Sequence, residues 1–581
     1  MKIFILRYSS PVVPLIILLF MFYASSLGAS ELVSNQDESS YNDTNYIIAS
    51  QFESTAAVKI QNNINIKYTS SHTRQFYINN HYNPVWTTSN GQLLPIANQF
   101  ILILENSYQD GLNPNDYHIR QIKDILDRLN QLVAHSISDA SGNDSVVYDQ
   151  KYVLNAQLDI LLTDAFFLYS SHMAFGRVNN RVVYPNWIID KRSFNLQELF
   201  NQALQSGDMS KVLSMVIPQN PEYAKLKQQL AVYQGGAAEH KKWATVAEGV
   251  KLTQGMQGSR VYMLQQRLMA TGELKSINQT KKGIFDHELF QALIKFQQNN
   301  GLVADGVAGS TTIAALNIPL VMRVKQIALN MDRLRYLPSD LGQQYIMVNI
   351  PDFSLNLVKN GQTVLTMPVI VGKDDGLQSC VLSSQISYLD INPSWYIPNS
   401  IAVRDILPKL KQNPNYLNEH HIKTYTAYGV NVQEVNSKNI AWSKIESNII
   451  PYKLRQEPGT DNPLGRIKFI FPNTCGIYLH DTSTPELFKN SRRDLSHGCI
   501  RIGKPIELAT YLLADKPGWT QEQILNVINS GKSKVVTLNS IVKIYIVYAT
   551  AWVNESGVLQ FRNDIYAIDD VPYSIYNPAR N

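Results

Sequence analysis

The most informative stretch of the sequence reads IYLHDT at residues 477–482 and SHGCIR at residues 496–501. A cysteine nucleophile reacts as its thiolate, whereas a free thiol has a pKa of about 8.5. A histidine within reach can take the thiol proton, hold the thiolate as an ion pair and later protonate a leaving amine. His480 precedes Cys499 by 19 positions, and a loop between them could bring the side chains together. The stretch therefore predicts acyl-transfer chemistry at a Cys499–His480 pair.

Two neighbours of Cys499 suit the same chemistry. Gly498 allows a tight backbone turn, so that amide groups near Cys499 could point at a developing oxyanion. Arg501 carries a planar guanidinium that matches a substrate carboxylate. The two residues extend the predicted site from a reactive pair to one that can also bind an acidic substrate.

Other interpretations of these residues stay open. Cys499 could be a buried structural thiol, His480 a core histidine, and Arg501 half of an ordinary ion pair. Cys475, His480, His497 and Cys499 could form a zinc set, although no Cys-x-x-Cys pair is present. A Cys475–Cys499 disulfide is a further alternative.

The region around this stretch has the period of β-strands. Phe353, Leu355 and Leu357 alternate with polar residues, and Asn360-Gly361 is a strong hairpin signal. Further strand-like runs cover residues 363–371, 386–391, 467–471, 477–480 and 542–553, with a hairpin tip at 554–557 before 558–561. A more helical insertion at about 396–460 interrupts the pattern and is placed to cover the site. The region is therefore predicted to be mostly β with an inserted capping subdomain.

Two helical regions precede this predicted sheet. Ile96, Phe100, Ile101 and Leu104 share one helix face, as the 3.6-residue period requires. The predicted domains form a multidomain α+β protein: a signal peptide at 1–28, a flexible linker at 29–66, a helical scaffold at 67–245, a small three-helix module at 246–318, a connecting helix at 319–342, a mostly β domain at 343–570 and a tail at 571–581.

Composition excludes several classes of protein. The 581 residues include 52 basic and 47 acidic ones, a net charge of +5 that argues against a dedicated nucleic-acid binder. The three cysteines are too few for a disulfide scaffold, and their odd number leaves at least one thiol free or intermolecular. Cys380 and Cys475 are interpreted as bystanders, or at most as a labile pair.

The first residues indicate export. Lys2 and Arg7 precede an apolar run at residues 11–23, and small residues follow up to Ala29. The run is shorter than the roughly 20 apolar residues of a membrane span. A removed secretory signal is therefore predicted, and the alternative is an uncleaved leader that anchors the protein in the inner membrane.

Residues 246–318 carry a pattern of glycines and apolar residues that identifies them further. The pattern comprises Gly258, Val261, Leu264-Gln265, Leu268, Gly272, Phe296-Gln297, Gly301-Leu302, Asp305-Gly306-Val307, Gly309, Thr312 and Ala315-Leu316. It resembles the peptidoglycan-binding domain type 1 family. The resemblance implies a module that binds the bacterial wall.

The His480 and Ser496-His497-Gly498-Cys499 signature, with Arg501, resembles that of the L,D-transpeptidase catalytic domain of the YkuD type. The likeness extends through NPSW at residues 392–395, RQEPG at 455–459 and NPLGRIKF at 462–469. The full domain order is similar to that of the large periplasmic YcbB-like L,D-transpeptidases. One departure is Ser379-Cys380, where the family often has a Thr-Pro pair.

The resemblance implies a role for each site residue. Cys499 is the acyl-accepting nucleophile and His480 its general base and acid. Among the supporting residues, the backbone of Asp481 orients His480, and His497 shapes the site. The site or its oxyanion hole is lined by Ser496, Gly498 and Tyr478. Of the substrate-binding residues, Arg501 holds a stem-peptide carboxylate, and Trp395 with Tyr396 begin the cap.

The implied activity is the formation of 3→3 cross-links between a donor tetrapeptide stem and an acceptor stem of peptidoglycan. No metal or organic cofactor is expected, since covalent catalysis and backbone donors suffice. The expected location is the periplasm of a Gram-negative envelope, with stem peptides and cell-wall synthesis proteins as partners, no nucleic acid, and sensitivity of Cys499 to carbapenems. Transfer to water or to a lipoprotein lysine, and a non-catalytic wall-binding scaffold, are the alternatives.

Overall fold

The structure is a computed structural model. It describes residues 44–45, 47–50, 52, 71–88, 91–138, 144–189, 192–238, 243–429, 432–445 and 449–570. The predicted signal peptide (1–28) and tail (571–581) lie outside the described residues, as does most of the predicted linker. Within the linker, the described residues are helical, and Ile48 and Phe52 are buried in the core of the following helices. This part therefore differs from a flexible linker, because its apolar side chains have a core to enter.

The helices of the predicted scaffold are α1 (Ser71–Asn79), α2 (Pro95–Glu105), α3 (Ile119–Ser138), α4 (Asp144–Phe175), α5 (Asn180–Val183), α6 (Leu196–Ser206), α7 (Met209–Ser214) and α8 (Pro221–Ala238). Aromatic rings fill their shared core. Trp86 stacks on Phe100 at 5.5 Å between ring centroids, and Phe166 meets Phe200 at 4.5 Å. The face that the sequence predicts on α2 is the buried one. Burial of large aromatic side chains is the main stabilisation of this unit.

A second, smaller helical unit follows. Its helices are α9 (Ser259–Thr271), α10 (His287–Asn299) and α11 (Ser310–Leu316), and they enclose a separate core around Leu264, Leu268, Leu293 and Phe296. The helix α12 (Leu320–Leu334) then leads to the sheet. Among the described residues no single helix is long and apolar enough to cross a membrane, and one bent pair, α11 with α12, meets the criterion by length and composition only.

Buried polar contacts join α12 to the scaffold. The Arg335 guanidinium contacts the Asp332 carboxylate at 2.8 Å, and both side chains are fully buried. Arg335 also donates to the Asp110 carbonyl at 2.6 Å and to the Tyr223 hydroxyl at 2.9 Å. The backbone amide of Arg177 donates to Asp332 at 2.8 Å. A buried charge pair is tolerated only when its remaining donors and acceptors have hydrogen-bond partners. The contacts described above provide some of these partners.

The strands are β1 (Gln344–Asn349), β2 (Ser354–Lys359), β3 (Gln362–Gly372), β4 (Leu382–Ile391), β5 (Trp395–Ile397), β6 (Ile422–Tyr425), β7 (Glu434–Val435), β8 (Lys453–Gln456), β9 (Ile467–Ile470), β10 (Leu479–His480), β11 (Asp494–Ser496), β12 (Ile500–Ile502), β13 (Lys534–Val547), β14 (Ala551–Val553) and β15 (Leu559–Phe561). The main sheet has the order β11-β3-β12-β10-β9-β4-β13-β1-β2, and an additional β2–β3 pairing closes it on itself. Closure removes exposed strand edges. The mixed helical and sheet architecture confirms the predicted multidomain α+β class.

The insertion between β4 and β9 forms its own layer. It contains α13 (Asn399–Ile401), a π-helical turn (Ala402–Ile406), α14 (Leu407–Gln412), α15 (Tyr416–Glu419) and a four-stranded sheet of order β5-β8-β6-β7. Its core includes Leu410, Leu417, Trp442 and Leu454. The sequence pattern suggests a helical insertion and misses this sheet, because its strands are only two to four residues long. Two further helices, α16 (Pro505–Leu512) and α17 (Gln521–Asn529), pack on the main sheet.

Candidate active site

Three neighbouring strands bring the predicted reactive residues together. His480 ends β10, where it lies opposite Arg501 of the parallel strand β12 and opposite Lys468 of the antiparallel strand β9. Cys499 immediately precedes β12, and the amide of Ile500 donates to the Tyr478 carbonyl at 3.1 Å. The pairing of β10 with β12 therefore carries two segments far apart in sequence to one end of the sheet.

A cavity of about 720 Å³ lies at this place, between the main sheet and the insertion. Eight of the ten predicted site residues line it: Cys499, His480, Tyr478, Ser496, His497, Arg501, Trp395 and Tyr396. Asp481 and Gly498 do not line the cavity but hold residues that do. The volume is in the range of ordinary small-molecule sites.

The His480 ring is held in one tautomer. Its Nδ1 lies 2.6 Å from the backbone carbonyl of Asp481, and a carbonyl can only accept, so Nδ1 carries the proton. Nε2 is then left as the basic nitrogen. Burial, together with the positive charges of Arg501 and Lys468, lowers the pKa of His480 to about 3. The imidazole is therefore neutral at physiological pH and can act as a base.

The Cys499 thiol is in an environment that keeps it protonated in the free protein. Burial raises its pKa above the ordinary value, although hydrogen bonds to Tyr478 and the charges of Lys468 and Arg501 oppose the rise. A neutral thiol and a neutral imidazole that line the same cavity are thus the favoured resting state. The sequence suggests a thiolate–imidazolium ion pair at rest, and the burial of both groups disfavours that pair.

The turn that carries Cys499 is fixed by two serines. Ser496 Oγ donates to the Cys499 carbonyl at 2.5 Å and accepts from the Gly498 amide at 3.1 Å. Ser379 Oγ donates to the Gly498 carbonyl at 2.7 Å. Gly498 has φ +107°, which strongly favours glycine. Because the amides of Gly498 and Ile500 already donate to protein oxygens, the Cys499 amide is a candidate donor of this turn for an oxyanion.

The Asp481 side chain fixes the start of β9. Its Oδ2 accepts the Arg466 amide at 2.8 Å, while its own amide donates to the Ile467 carbonyl at 2.9 Å. Gly465 has φ +63°, and a Cβ there would lie 2.5 Å from the Asp481 side chain. The residue thus links β9 to β10 and positions the carbonyl that orients His480.

Arg501 lines this cavity and has a buried donor without a partner among the described residues. Nη1 donates to Thr484 Oγ1 at 3.2 Å, but the buried Nε has no hydrogen-bond partner among the described residues. A buried guanidinium N–H without a partner is costly, and a carboxylate is the ligand that best satisfies it. Arg501 is therefore a residue of this cavity whose chemistry suits a carboxylate.

Lys468 is a site residue that the sequence analysis did not select. Its Nζ lies 3.8 Å from the centroid of the Tyr478 ring, and it lies in register with Asp390 of β4. Burial lowers its pKa, while Asp390 and the Cys499 thiolate would raise it. Only the pairing of β9 with β10 places this amine beside Cys499. A lysine in a short strand gives no sequence signal for that role.

The insertion covers the cavity and contacts the Cys499 turn directly. His497 Nε2 lies 2.8 Å from Asp405 Oδ2, and Asp405 belongs to the π-helical turn of the insertion. Burial lowers the pKa of His497, with Asp405 opposing the shift. Tyr396, half-exposed on β5, meets Tyr428 at 5.2 Å between ring centroids. The His497–Asp405 contact, a connection between cap and turn, was not predicted from the sequence.

The arrangement of the three cysteines excludes two of the alternatives above. Cys380 and Cys475 form a disulfide, and Cys499 is free. The Cys475–Cys499 disulfide and the zinc set containing Cys475 are therefore wrong. The pair lies close to the predicted site, since Cys475 lines the cavity and Cys380 follows Ser379, which donates to the Gly498 carbonyl.

Comparisons with known proteins agree with this geometry. Residues 343–536 match the family model for the L,D-transpeptidase catalytic domain, YkuD. Residues 257–316 match the "Putative peptidoglycan binding domain", and residues 71–230 match the model of a scaffold domain. Residues 343–536 are thus similar to L,D-transpeptidase catalytic domains, and residues 257–316 are similar to peptidoglycan-binding domains.

Individual relatives are known as well. The chain is 36% identical over 245 residues to a "Putative L,D-transpeptidase" of Haemophilus influenzae, a match that covers 42% of this chain and 48% of the relative. The chain thus spans about half the length of that curated relative. The crystal structure of an L,D-transpeptidase (residues 123–326) from Xylanimonas cellulosilytica matches with 14% identity and a TM-score of 0.17, covering 52% of this chain and 99% of the other. That score is too low to relate the two folds.

Proposed function

We propose that the protein is an L,D-transpeptidase that forms 3→3 cross-links in peptidoglycan through a cysteine thioester. The observation that carries the proposal is the shared cavity of Cys499, neutral His480 and the unpaired Nε of Arg501. The family match of the catalytic domain supports it. Covalent catalysis splits the transfer into two easier steps, acylation and deacylation.

In the first step, Nε2 of His480 takes the Cys499 thiol proton while sulfur attacks the carbonyl of the third residue of a donor tetrapeptide stem. That residue is meso-diaminopimelate, attacked at its L-centre. The bond to the terminal D-Ala breaks, and its amine leaves with the proton from His480. Positive charges at Lys468 and Arg501 favour the thiolate as it forms.

In the second step, the side-chain amine of an acceptor stem attacks the thioester. His480 accepts a proton from this amine, and the Cys499 thiolate leaves and is reprotonated. The product is a 3→3 cross-link between the two stems. Every proton is carried by His480, so this chain's own residues complete the cycle.

Arg501 is the residue we expect to bind the donor's carboxylate. Replacing it with methionine should raise the donor KM about 10- to 100-fold, because a hydrogen bond to a charged group contributes about 1.5–3 kcal/mol. Arg501→Lys should recover only part of this, since an ammonium cannot form the planar double contact. Steady-state kinetics with a tetrapeptide donor measure the effect. The scaffold variant Arg128→Lys is the control, and an unchanged KM in Arg501→Met would contradict the assignment.

The contact between His497 and Asp405 should hold the cap closed. Asp405→Asn is expected to increase the rate of Cys499 labelling by a bulky maleimide about 2- to 5-fold, since a partly exposed contact between an imidazole and a carboxylate contributes up to about 1 kcal/mol. Glu434→Gln, which removes an exposed cap residue paired with Lys423, serves as the control. Equal labelling rates in Asp405→Asn and the wild type would show that this contact does not restrict access.

We further propose that the protein acts in the periplasm of a Gram-negative cell, where stem peptides and other cell-wall synthesis proteins are its partners. The basic and apolar leader and the peptidoglycan-binding domain support this location. The mass of the exported protein tests removal of residues 1–28. Acylation of Cys499 by a carbapenem would follow from the same thioester chemistry.

Muropeptide composition tests the proposed function. Cells expressing the wild type should contain more 3→3 dimers than cells expressing Cys499→Ala, and equal content would overturn the proposal. In vitro, the purified protein and a tetrapeptide stem should give cross-linked dimers by mass spectrometry. Tripeptide alone would indicate transfer to water, and a product only with a lipoprotein acceptor would indicate attachment. If the folded, reduced protein does not react at all, the result would favour the alternative function of a non-catalytic wall-binding scaffold.

A further inference from the structure

A second large groove lies between the peptidoglycan-binding domain and the catalytic domain. We call it the interdomain groove, and it has a volume of about 950 Å³. One wall is formed by residues of the segment 301–312, from the peptidoglycan-binding domain. The other wall is formed by residues from the segments 351–353, 491–493 and 562–567 and by Asp374. Binding sites often lie at such domain interfaces.

Side-chain contacts hold the two walls in a fixed relation. Arg562 donates to Asp352 Oδ1 at 2.6 Å and to the Asn299 carbonyl at 3.1 Å, so it connects both domains. Arg323 donates to Asn300 Oδ1 at 2.7 Å. A Cβ at Gly301 would lie 2.4 Å from Arg562 Cδ, so the backbone of the first wall packs closely on this arginine. The groove is therefore preformed.

The charges of the groove do not suit a polyanion. Arg492 forms two contacts of 2.7 Å with Asp494, and Arg562 is paired with Asp352. Arg493 donates to three backbone carbonyls, those of Val369, Asn490 and Phe353. Because each arginine already has acceptors, the groove lacks the unpaired cations that phosphate binding requires.

The exposed side chains of the groove are mainly hydroxyls, an amide and the carboxylates of Asp305 and Asp374, together with the paired Arg492 and the apolar Val303. They include Ser310, Thr311, Ser491, Asn563 and Asp374. Such groups exchange hydrogen bonds with a neutral, hydroxyl-rich ligand at little desolvation cost. The groove thus fits an uncharged carbohydrate better than a nucleic acid or an acidic peptide.

The groove is connected to the catalytic cavity by the short strand β11. Arg493 lines the groove and Ser496 lines the cavity, and three residues span at most about 10 Å. A stem peptide of three to four residues covers roughly 10–14 Å when extended. A glycan in the groove could therefore present its own stem at Cys499.

We propose that the interdomain groove binds the glycan strand of peptidoglycan and aligns an attached stem with the catalytic cavity. The presentation of the stem to Cys499 rests on the proposed function, whereas the binding of the glycan to the groove does not. The competing location is a smaller pocket of about 430 Å³ on the peptidoglycan-binding domain, lined by Tyr262, Lys282 and neighbouring residues.

Binding to purified, insoluble sacculi tests the proposal in the full-length Cys499→Ala background. Thr311→Trp and Asn563→Trp fill the groove from its two walls, and both residues are exposed in the structure. Each is expected to weaken binding at least about 10-fold, whereas Thr311→Ser and the pocket variant Tyr262→Ala should bind as the parent does. Parent-like binding of both tryptophan variants, or a loss confined to Tyr262→Ala, would overturn the proposal.

A kinetic comparison in the Cys499-containing protein separates the groove from the catalytic site. Both tryptophan variants should lower kcat/KM about 10-fold for a glycan-linked tetrapeptide and leave the reaction of the free tetrapeptide unchanged. An equal fall with both substrates would show damage to the catalytic site and contradict the proposal. If the wild type did not react with free tetrapeptide, the proposed function would fail while the sacculus assay would still decide the groove.

Discussion

Replacement of His480 by asparagine is expected to lower the rate of Cys499 acylation about 10²- to 10⁴-fold, the usual contribution of a general base. The asparagine amide can still donate to the Asp481 carbonyl, which holds Nδ1 of the native ring at 2.6 Å. The asparagine side chain provides no basic nitrogen in place of Nε2. The variant should therefore keep the fold and the shape of the cavity while losing the proton acceptor.

Single-turnover acylation by a tetrapeptide donor or a carbapenem measures this effect. His420→Asn is a matched control, since His420 lines the same cavity from the insertion and packs against Tyr416. It should change the rate less than about 5-fold, since His420 has no proposed part in the proton transfer. A rate in His480→Asn close to that of the control would contradict the role of His480.

The pH dependence of the same reaction follows from the two shifted groups. Because the pKa of His480 is lowered to about 3, its neutral form persists as the pH falls, and kcat/KM should hold down to about pH 5. Because the pKa of Cys499 is raised by burial, its alkylation by iodoacetamide should keep accelerating above pH 9. An acid limb near the ordinary histidine pKa of about 6.5 would show that His480 is charged in the free enzyme.

The double variant Cys380→Ser and Cys475→Ser should lower the free energy of unfolding of the catalytic domain by about 2–5 kcal/mol. The disulfide closes a loop of 95 residues between the segment before β4 and the segment before β10. The first segment includes Ser379, which is fully buried and donates to Gly498. The second leads directly to Tyr478 and His480. Loss of the disulfide should therefore slow acylation as well as destabilise the domain.

Thermal unfolding with and without a reductant measures the contribution of the disulfide. The wild type should melt at a lower temperature once reduced, and the double variant should melt alike in both conditions. Thiol titration of the unfolded protein provides the check, with one thiol before reduction and three afterwards. A wild type with three titrated thiols and an unchanged melting temperature would contradict the stabilising role.

Much of the architecture follows from patterns that are local in sequence. The stripe at Ile96, Phe100 and Leu104 marks a helix face because helical period and burial coincide there. Asn360-Gly361 connects β2 and β3 as its turn chemistry predicts. The residues of the Cys499 signature other than Gly498 likewise share one cavity, since β10 and β12 pair in parallel.

The remaining features depend on contacts between distant segments, which periodicity does not record. Lys468 reaches the site only through the register of β9 with β10, and Asp405 only through the fold of the insertion. The disulfide partner of Cys475 depends on where Cys380 comes to lie. The resting state of the Cys499–His480 pair depends on how deeply both side chains are buried. The sequence alone does not show this burial.

The central claim is that Cys499 forms a thioester with the donor stem. Intact mass spectrometry of the wild type, quenched in acid during reaction with a tetrapeptide stem, tests it most directly. The mass should increase by that of the stem after loss of D-Ala, and peptide mapping should place the adduct on Cys499. A protein that releases D-Ala with no adduct on Cys499, or with an adduct on another residue, would contradict the account.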